Sequence, residues 1–178
     1  DKKERIEQAI DAIEEVEKML LDEQPDWEAI LNLLRVIRLE REDDWWEKYY
    51  DTSFQIAKGT KGREWMEKTY SEEQRKRLQE LHPGYTEEQA QADALKWKEV
   101  ILLLKRLAAE GKDPAGPEAQ ELAKRWWDLI QAFTKGDAGI YQSLSQGMKG
   151  SPYPRLYTPE EEAFINKALE IFKTKKGS

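Results

Sequence analysis

The chain contains no cysteine. Disulfides, thiolate nucleophiles and thiolate-bound metals are therefore excluded. Histidine occurs once, at His82. With no second imidazole and no thiol, the usual nucleophile-base arrangements have little to work with. His82 precedes Pro83 at the end of a predicted helix, where a cap or rim role suits it better than catalysis. Neither GxGxxG, GxxxxGK[ST] nor HExxH is present, and Gln79 rather than Glu stands three residues before His82. Carboxylates are plentiful, but they fall on helix surfaces where solvation is their ordinary state. The chain reads as a non-enzyme without a cofactor or metal. Long apolar runs are missing too. The longest, Val100 to Leu104, is far short of the ~20 residues that span a bilayer. Asp1 to Glu17 is charged throughout and forms no signal peptide. A cytoplasmic location fits, and no membrane partner is expected. No run alternates apolar and polar residues with β-branched enrichment, so no strand is predicted.

What is present is charge and aromatic area. Charged residues make up 37% of the 178, mean hydropathy is −0.89, and seven Trp, seven Tyr and four Phe argue for packed regions against disorder. Residues 1–44 hold 7 Lys and Arg against 15 Asp and Glu, a net of −8. The whole chain carries −7, so the remainder sums to +1. Neither part has the basic stripe that nucleic-acid binding needs.

Residues 1–21 read as one helix. Ile6, Ile10, Ile13, Val16 and Leu20 recur at steps of three and four and form one apolar stripe on an acidic helix. A helix this thin must pack on something: its own domain, or a second copy in a coiled coil. Pro25 breaks the helix and Asp26 can cap the next, from Trp27 to Asp44, whose apolar residues fall on two surfaces. Residues 57–63 (AKGTKGR) read as a loop. The predicted organisation is therefore an N-terminal helical arm over 1–44, a linker over 45–69 and a C-terminal domain over 70–174.

In that domain Ser71 with Gln74, Thr86 with Gln89, and Thr158 with Glu161 have capping-box spacing and open helices. Gly111 ends the long helix that begins after Thr86, and Pro117 suits the first turn of the next. That helix, to Thr134, turns Ala119, Leu122, Ala123, Trp126, Ile130 and Phe133 inward. Further helices are expected over 138–148 and 158–173, separated by the loop at 149–159. The aromatic residues fit a well-packed helical core, but as a group they exceed what one small core consumes. The surplus can line a cleft for large flat ligands. The candidate lining is Trp97, Ile101, Trp126, Ile130, Phe133, Tyr141, Met148, Tyr153, Tyr157 and His82.

Leu95 to Phe133 (LKWKEVILLLKRLAAEGKDPAGPEAQELAKRWWDLIQAF) resembles the core of the TipA-type antibiotic-recognition domain. The likeness lies in a Trp helix, a Gly-x-Asp-Pro-x-x-Pro connector, and a second helix with Gln120, Leu122, Ala123, Arg125 and Trp126. Gly136-Asp137, Phe164-Ile165 and Ala168-Leu169 extend it to about residues 70–172. Residues 1–50 resemble the end of a MerR dimerisation helix and its following segment, in Asp26-Trp27-x-x-Ile30-x-x-Leu33-Leu34 and Trp46-x-x-Tyr49-Tyr50. The resemblance implies an all-α protein, a dimerisation helix followed by a globin-like ligand domain. It further implies a homodimer through Ile6, Ile10, Ile13, Val16 and Leu20, and binding of bulky antibiotics or lipophilic drugs. Control of resistance or efflux genes would follow through a winged helix-turn-helix that is not in this chain. Some relatives instead stand alone and sequester the drug. The family's thiopeptide receptor captures its ligand through a cysteine; here binding would be non-covalent.

Overall fold

The structure, a computed structural model, describes residues 2–22, 24–41 and 44–176, without the side chains of residues 2–6, 8, 9, 12, 40 and 41. Ile6, expected in the dimer stripe, thus lies outside the described side chains. The described residues form nine α-helices and no strand: α1 (Lys2–Leu20), α2 (Trp27–Arg41), α3 (Asp44–Lys58), α4 (Thr60–Thr69), α5 (Glu72–Leu81), α6 (Glu87–Ala109), α7 (Pro117–Thr134), α8 (Ala138–Gly147) and α9 (Pro159–Lys176). A single 3₁₀ turn follows α8 at Met148–Gly150.

Local chemistry sets these boundaries. All three expected capping boxes form. Ser71 and Gln74 exchange side-chain-to-backbone bonds of 3.0 and 3.2 Å, Thr86 and Gln89 of 2.8 and 3.2 Å, and Thr158 and Glu161 of 2.9 and 3.2 Å. Asp26 Oδ1 accepts from the Ala29 amide and opens α2. Gly111 closes α6 in the left-handed region at φ +64, with the Lys112 amide reaching back to the Leu107 carbonyl in a Schellman arrangement.

One expectation fails. Residues 57–63, read as a loop, belong to the end of α3 and the start of α4, which meet at Gly59. Gly62 is buried, and a side-chain carbon there would collide with the Ile56 carbonyl oxygen. The glycines permit one helix to start hard against another, and the basic residues around them face solvent.

The chain forms two compact units. Unit 1 comprises residues 1–45, 100–123 and 157–178; unit 2 comprises residues 46–99 and 124–156. α6 and α7 contribute to both.

In unit 1, α1 and α2 form a helical hairpin. Val16 packs on Ile30 and Leu33, with Met19, Ile37 and Ala109 around them. Val16, placed with the dimer stripe by its spacing, is thus buried inside its own hairpin. Val100, Ile101, Leu104 and Leu107 of α6, Ala119, Leu122 and Ala123 of α7, and Ile165 and Ala168 of α9 are buried. Lys105 Nζ meets Glu161 Oε2 at 2.9 Å, nearly sequestered from solvent. Gln120 donates through Nε2 to the Pro114 carbonyl at 2.8 Å and the Ala168 carbonyl at 3.2 Å, joining the 111–117 connector to α9.

Unit 2 has its own core of Tyr70, Leu78 and Ile140, with Trp65, Met66, Leu81 and Leu144 packed against it. Trp46 and Trp126 are buried there as well.

Candidate functional site

Unit 2 gathers most of the aromatic residues singled out from sequence. The α6 periodicity turns Trp97 inward, and the α7 periodicity does the same for Trp126. The two rings meet edge to face, 5.2 Å apart at 88°. This geometry sets the positive edge of one indole against the negative face of the other. Glu99 and Arg125 pair at 2.9 Å across the same two helices. Trp127 meets Tyr141 of α8 in the same edge fashion, at 5.2 Å and 76°.

His82 caps α5 and is fixed by two contacts. Its Nε2 lies 2.6 Å from the Phe133 carbonyl oxygen, and its ring stacks on that of Phe133 at 6.0 Å and 25°. Tyr85 adds an edge contact at 6.0 Å. The Tyr85 hydroxyl donates to Asp93 at 2.9 Å, and its ionisation is pushed up to about 12 by lost solvation and then by that carboxylate. Lys96 holds Asp93 below the ordinary carboxylate range.

A further group centres on Trp65 of α4. Its Nε1 donates to the Gly147 carbonyl at 3.0 Å, and its ring meets those of Tyr70 at 6.2 Å and Tyr153 at 5.6 Å nearly at right angles. Burial raises the Tyr153 hydroxyl. Trp65 was not among the sequence candidates. Its partner carbonyl is 82 residues away, and α4 lay within the stretch read as linker. The local sign was the Trp65-Met66 pair at helical spacing from Tyr70.

The remaining candidates divide. Ile130 is half-buried on α7, and Met148 is largely exposed in the 3₁₀ turn. Phe133 was expected inward but is 38% exposed at the last turn of α7, over His82. Ile101 and Tyr157 belong to unit 1, Ile101 as fully buried core. A shallow groove of about 350 Å³ also lies in unit 1, between Met19, Asp26, Asn32 and the Ala108–Gly111 end of α6. It holds none of the aromatic candidates and is polar at its rim, so it does not match the expected ligand.

Tyr70 is buried to 1% exposure and its hydroxyl has no hydrogen-bond partner. Burial pushes its ionisation up to about 12 from an unfolded value of 10.0. Below pH 10 the group's ionisation therefore leaves stability unchanged, and as pH rises towards 12 stability falls, by on the order of 2–3 kcal/mol. Tyr70→Phe is expected to raise stability by about 1 kcal/mol at pH 8, since an unpaired buried hydroxyl is removed. It should also flatten the fall in urea midpoint between pH 9 and 11. An unchanged alkaline slope in the variant would assign that slope to other groups.

These elements form a helical domain with clustered aromatic rings. Among the described residues no cluster of His, Asp and Glu is arranged to hold a metal. The model of the TipAS antibiotic-recognition domain family matches residues 62–172, and the chain belongs to that family. The family is one of ligand binding, without a catalytic assignment. No curated protein and no solved structure matches the chain.

Proposed function

We propose that this chain is the effector-sensing and dimerisation part of a MerR-family transcriptional activator. It binds bulky antibiotics or lipophilic drugs and so controls resistance or efflux genes. The observation that carries the reading is the edge-to-face Trp97–Trp126 pair, which lies within the residues matched to an antibiotic-recognition family. Indole faces suit flat, polarisable ligands, and Trp97 is only half-buried. With no cysteine in the sequence, capture is non-covalent and reversible. The regulatory half of the proposal rests on residues 1–50, whose amphipathic α1 and Trp27-to-Tyr50 pattern resemble a MerR dimerisation segment. In this reading the protein is a homodimer, and DNA contact belongs to a winged helix-turn-helix outside this sequence.

Titration with a thiopeptide and with polycyclic antibiotics tests the proposal. A true ligand quenches tryptophan emission and raises Tm; at one hundred times Kd the stabilisation is ~2.7 kcal/mol. Trp97→Leu should weaken binding at least tenfold, about 1.4 kcal/mol or more. If neither compound class quenches or shifts Tm, antibiotic sensing is wrong. Binding by a wild type that stays monomeric would point instead to a sequestering protein.

A further inference from the structure

The α1–α2 hairpin of unit 1 has two apolar faces, and among the described residues its buried core cluster draws on one of them. The inner face is Val16 and Met19 against Ile30, Leu33 and Ile37. The other comprises Ile10, Ile13 and Leu20 of α1 and Trp27, Leu31 and Leu34 of α2, each between 45% and 62% exposed. On α2 these residues follow i, i+4, i+7 spacing, so they form a stripe and not scattered exposure.

Helix geometry places the two stripes together. At 3.6 residues per turn, the outer stripe of each helix is rotated by roughly 100° from its inner stripe, in the same sense along the chain. The short connection at 21–26 makes α1 and α2 antiparallel neighbours. In an antiparallel pair, equal rotations of the same sense from the facing sides turn both outer stripes to one side of the hairpin. Together they present on the order of 650 Å² of apolar side chain, above what a monomer ordinarily exposes in one patch. With the aliphatic stems at its rim, the patch approaches the ~800 Å² that each partner of a standard interface contributes.

We infer that a second copy of this chain covers this face, and that α2 is half of the dimer interface. The inference rests on the homodimer proposed above and extends it from one helix of each copy to two. An isologous contact needs a surface that matches itself, and a stripe of aliphatic side chains with one Trp does so. The area also agrees with two helices per copy; α1 alone offers less than half of it.

The test is the oligomeric state of the full chain by sedimentation and light scattering over 1–100 µM. Wild type, Ile10→Glu/Ile13→Glu and Leu31→Glu/Leu34→Glu are compared, with far-UV circular dichroism as the check on folding. Expected is a wild-type dimer whose dissociation constant rises at least a hundredfold in both double variants. If only the α1 pair dissolves the dimer, α2 lies outside the interface and this inference fails while the homodimer stands. A monomeric wild type would overturn both. If either glutamate pair loses helicity, the milder Leu31→Ser/Leu34→Ser decides, with at least a tenfold rise expected. Trp27 gives an independent readout: the wild-type minus Trp27→Phe emission spectrum should be blue-shifted when dimeric. A solvent-exposed spectrum at dimer concentrations would contradict the assignment.

Discussion

Gln120→Glu is expected to lower stability by about 3 kcal/mol at pH 7, a fall in Tm on the order of 10 °C. Gln120 faces two carbonyl oxygens, those of Pro114 and Ala168, and donates to both. A carboxylate of the same shape has no donor and sets charge against two acceptors. Its only relief is to bind a proton. The folded ionisation value at residue 120 would then stand above the unfolded one, near 4.3. Stability would be retained below that unfolded value and lost as pH rises through the folded one. Thermal unfolding at pH 4.5 and pH 7.5 checks this: the variant should approach wild type at the lower pH. Gln120→Leu serves as the uncharged control and should show no such recovery. A pH-independent loss in Gln120→Glu would show that the site is wetter than its hydrogen bonds imply.

Lys105→Met should cost about 2–3 kcal/mol. Lys105 and Glu161 form their 2.9 Å pair with side-chain exposures of 11% and 14%. Removing the cation leaves a poorly solvated carboxylate, and the usual cost of 3–5 kcal/mol for breaking a buried pair applies with one discount. Glu161 Oε2 also accepts the Thr158 amide as part of the α9 capping box, so some charge stabilisation persists. The compensating change follows from the same geometry. Glutamine at residue 161 can keep the cap without charge, so Lys105→Met/Glu161→Gln should recover most of the loss. Urea unfolding of the two single variants and the double one measures the coupling, expected at 1–2 kcal/mol. Additivity within error would mean that the pair contributes nothing beyond its parts.

The sequence disclosed those features that are set within a few residues. Ser71 with Gln74, Thr86 with Gln89 and Thr158 with Glu161 announce their helices because a capping box closes over three residues. The Gln120–Trp126 segment was legible for the same reason. Its spacing puts Leu122, Ala123 and Trp126 on one buried face. What escaped depends on distant partners. Gly62 resembles a loop residue until Ile56 is seen against it. Trp65 resembles a surface residue until Gly147 supplies its acceptor. Among the candidate ligand residues, helical period alone grouped Ile101 with Trp97. One turn along α6 the environment changes to unit 1, and periodicity does not register that change. Phe133 lies on the inward stripe of α7 by phase, yet the helix ends there and leaves it 38% exposed over His82.

The solitary imidazole at residue 82, wedged between Phe133 and Tyr85, has a practical consequence. In a proton NMR spectrum it contributes one pair of ring signals, with no other histidine to assign. Both neighbouring rings impose ring-current shifts on that pair, so a ligand that slides between them would displace the signals even where bulk fluorescence, averaged over seven indoles, barely moves. With no native thiol to compete, a cysteine introduced at any exposed position would accept a paramagnetic tag at that point alone. Broadening of the two resonances would then map distances from the tag to His82 in solution.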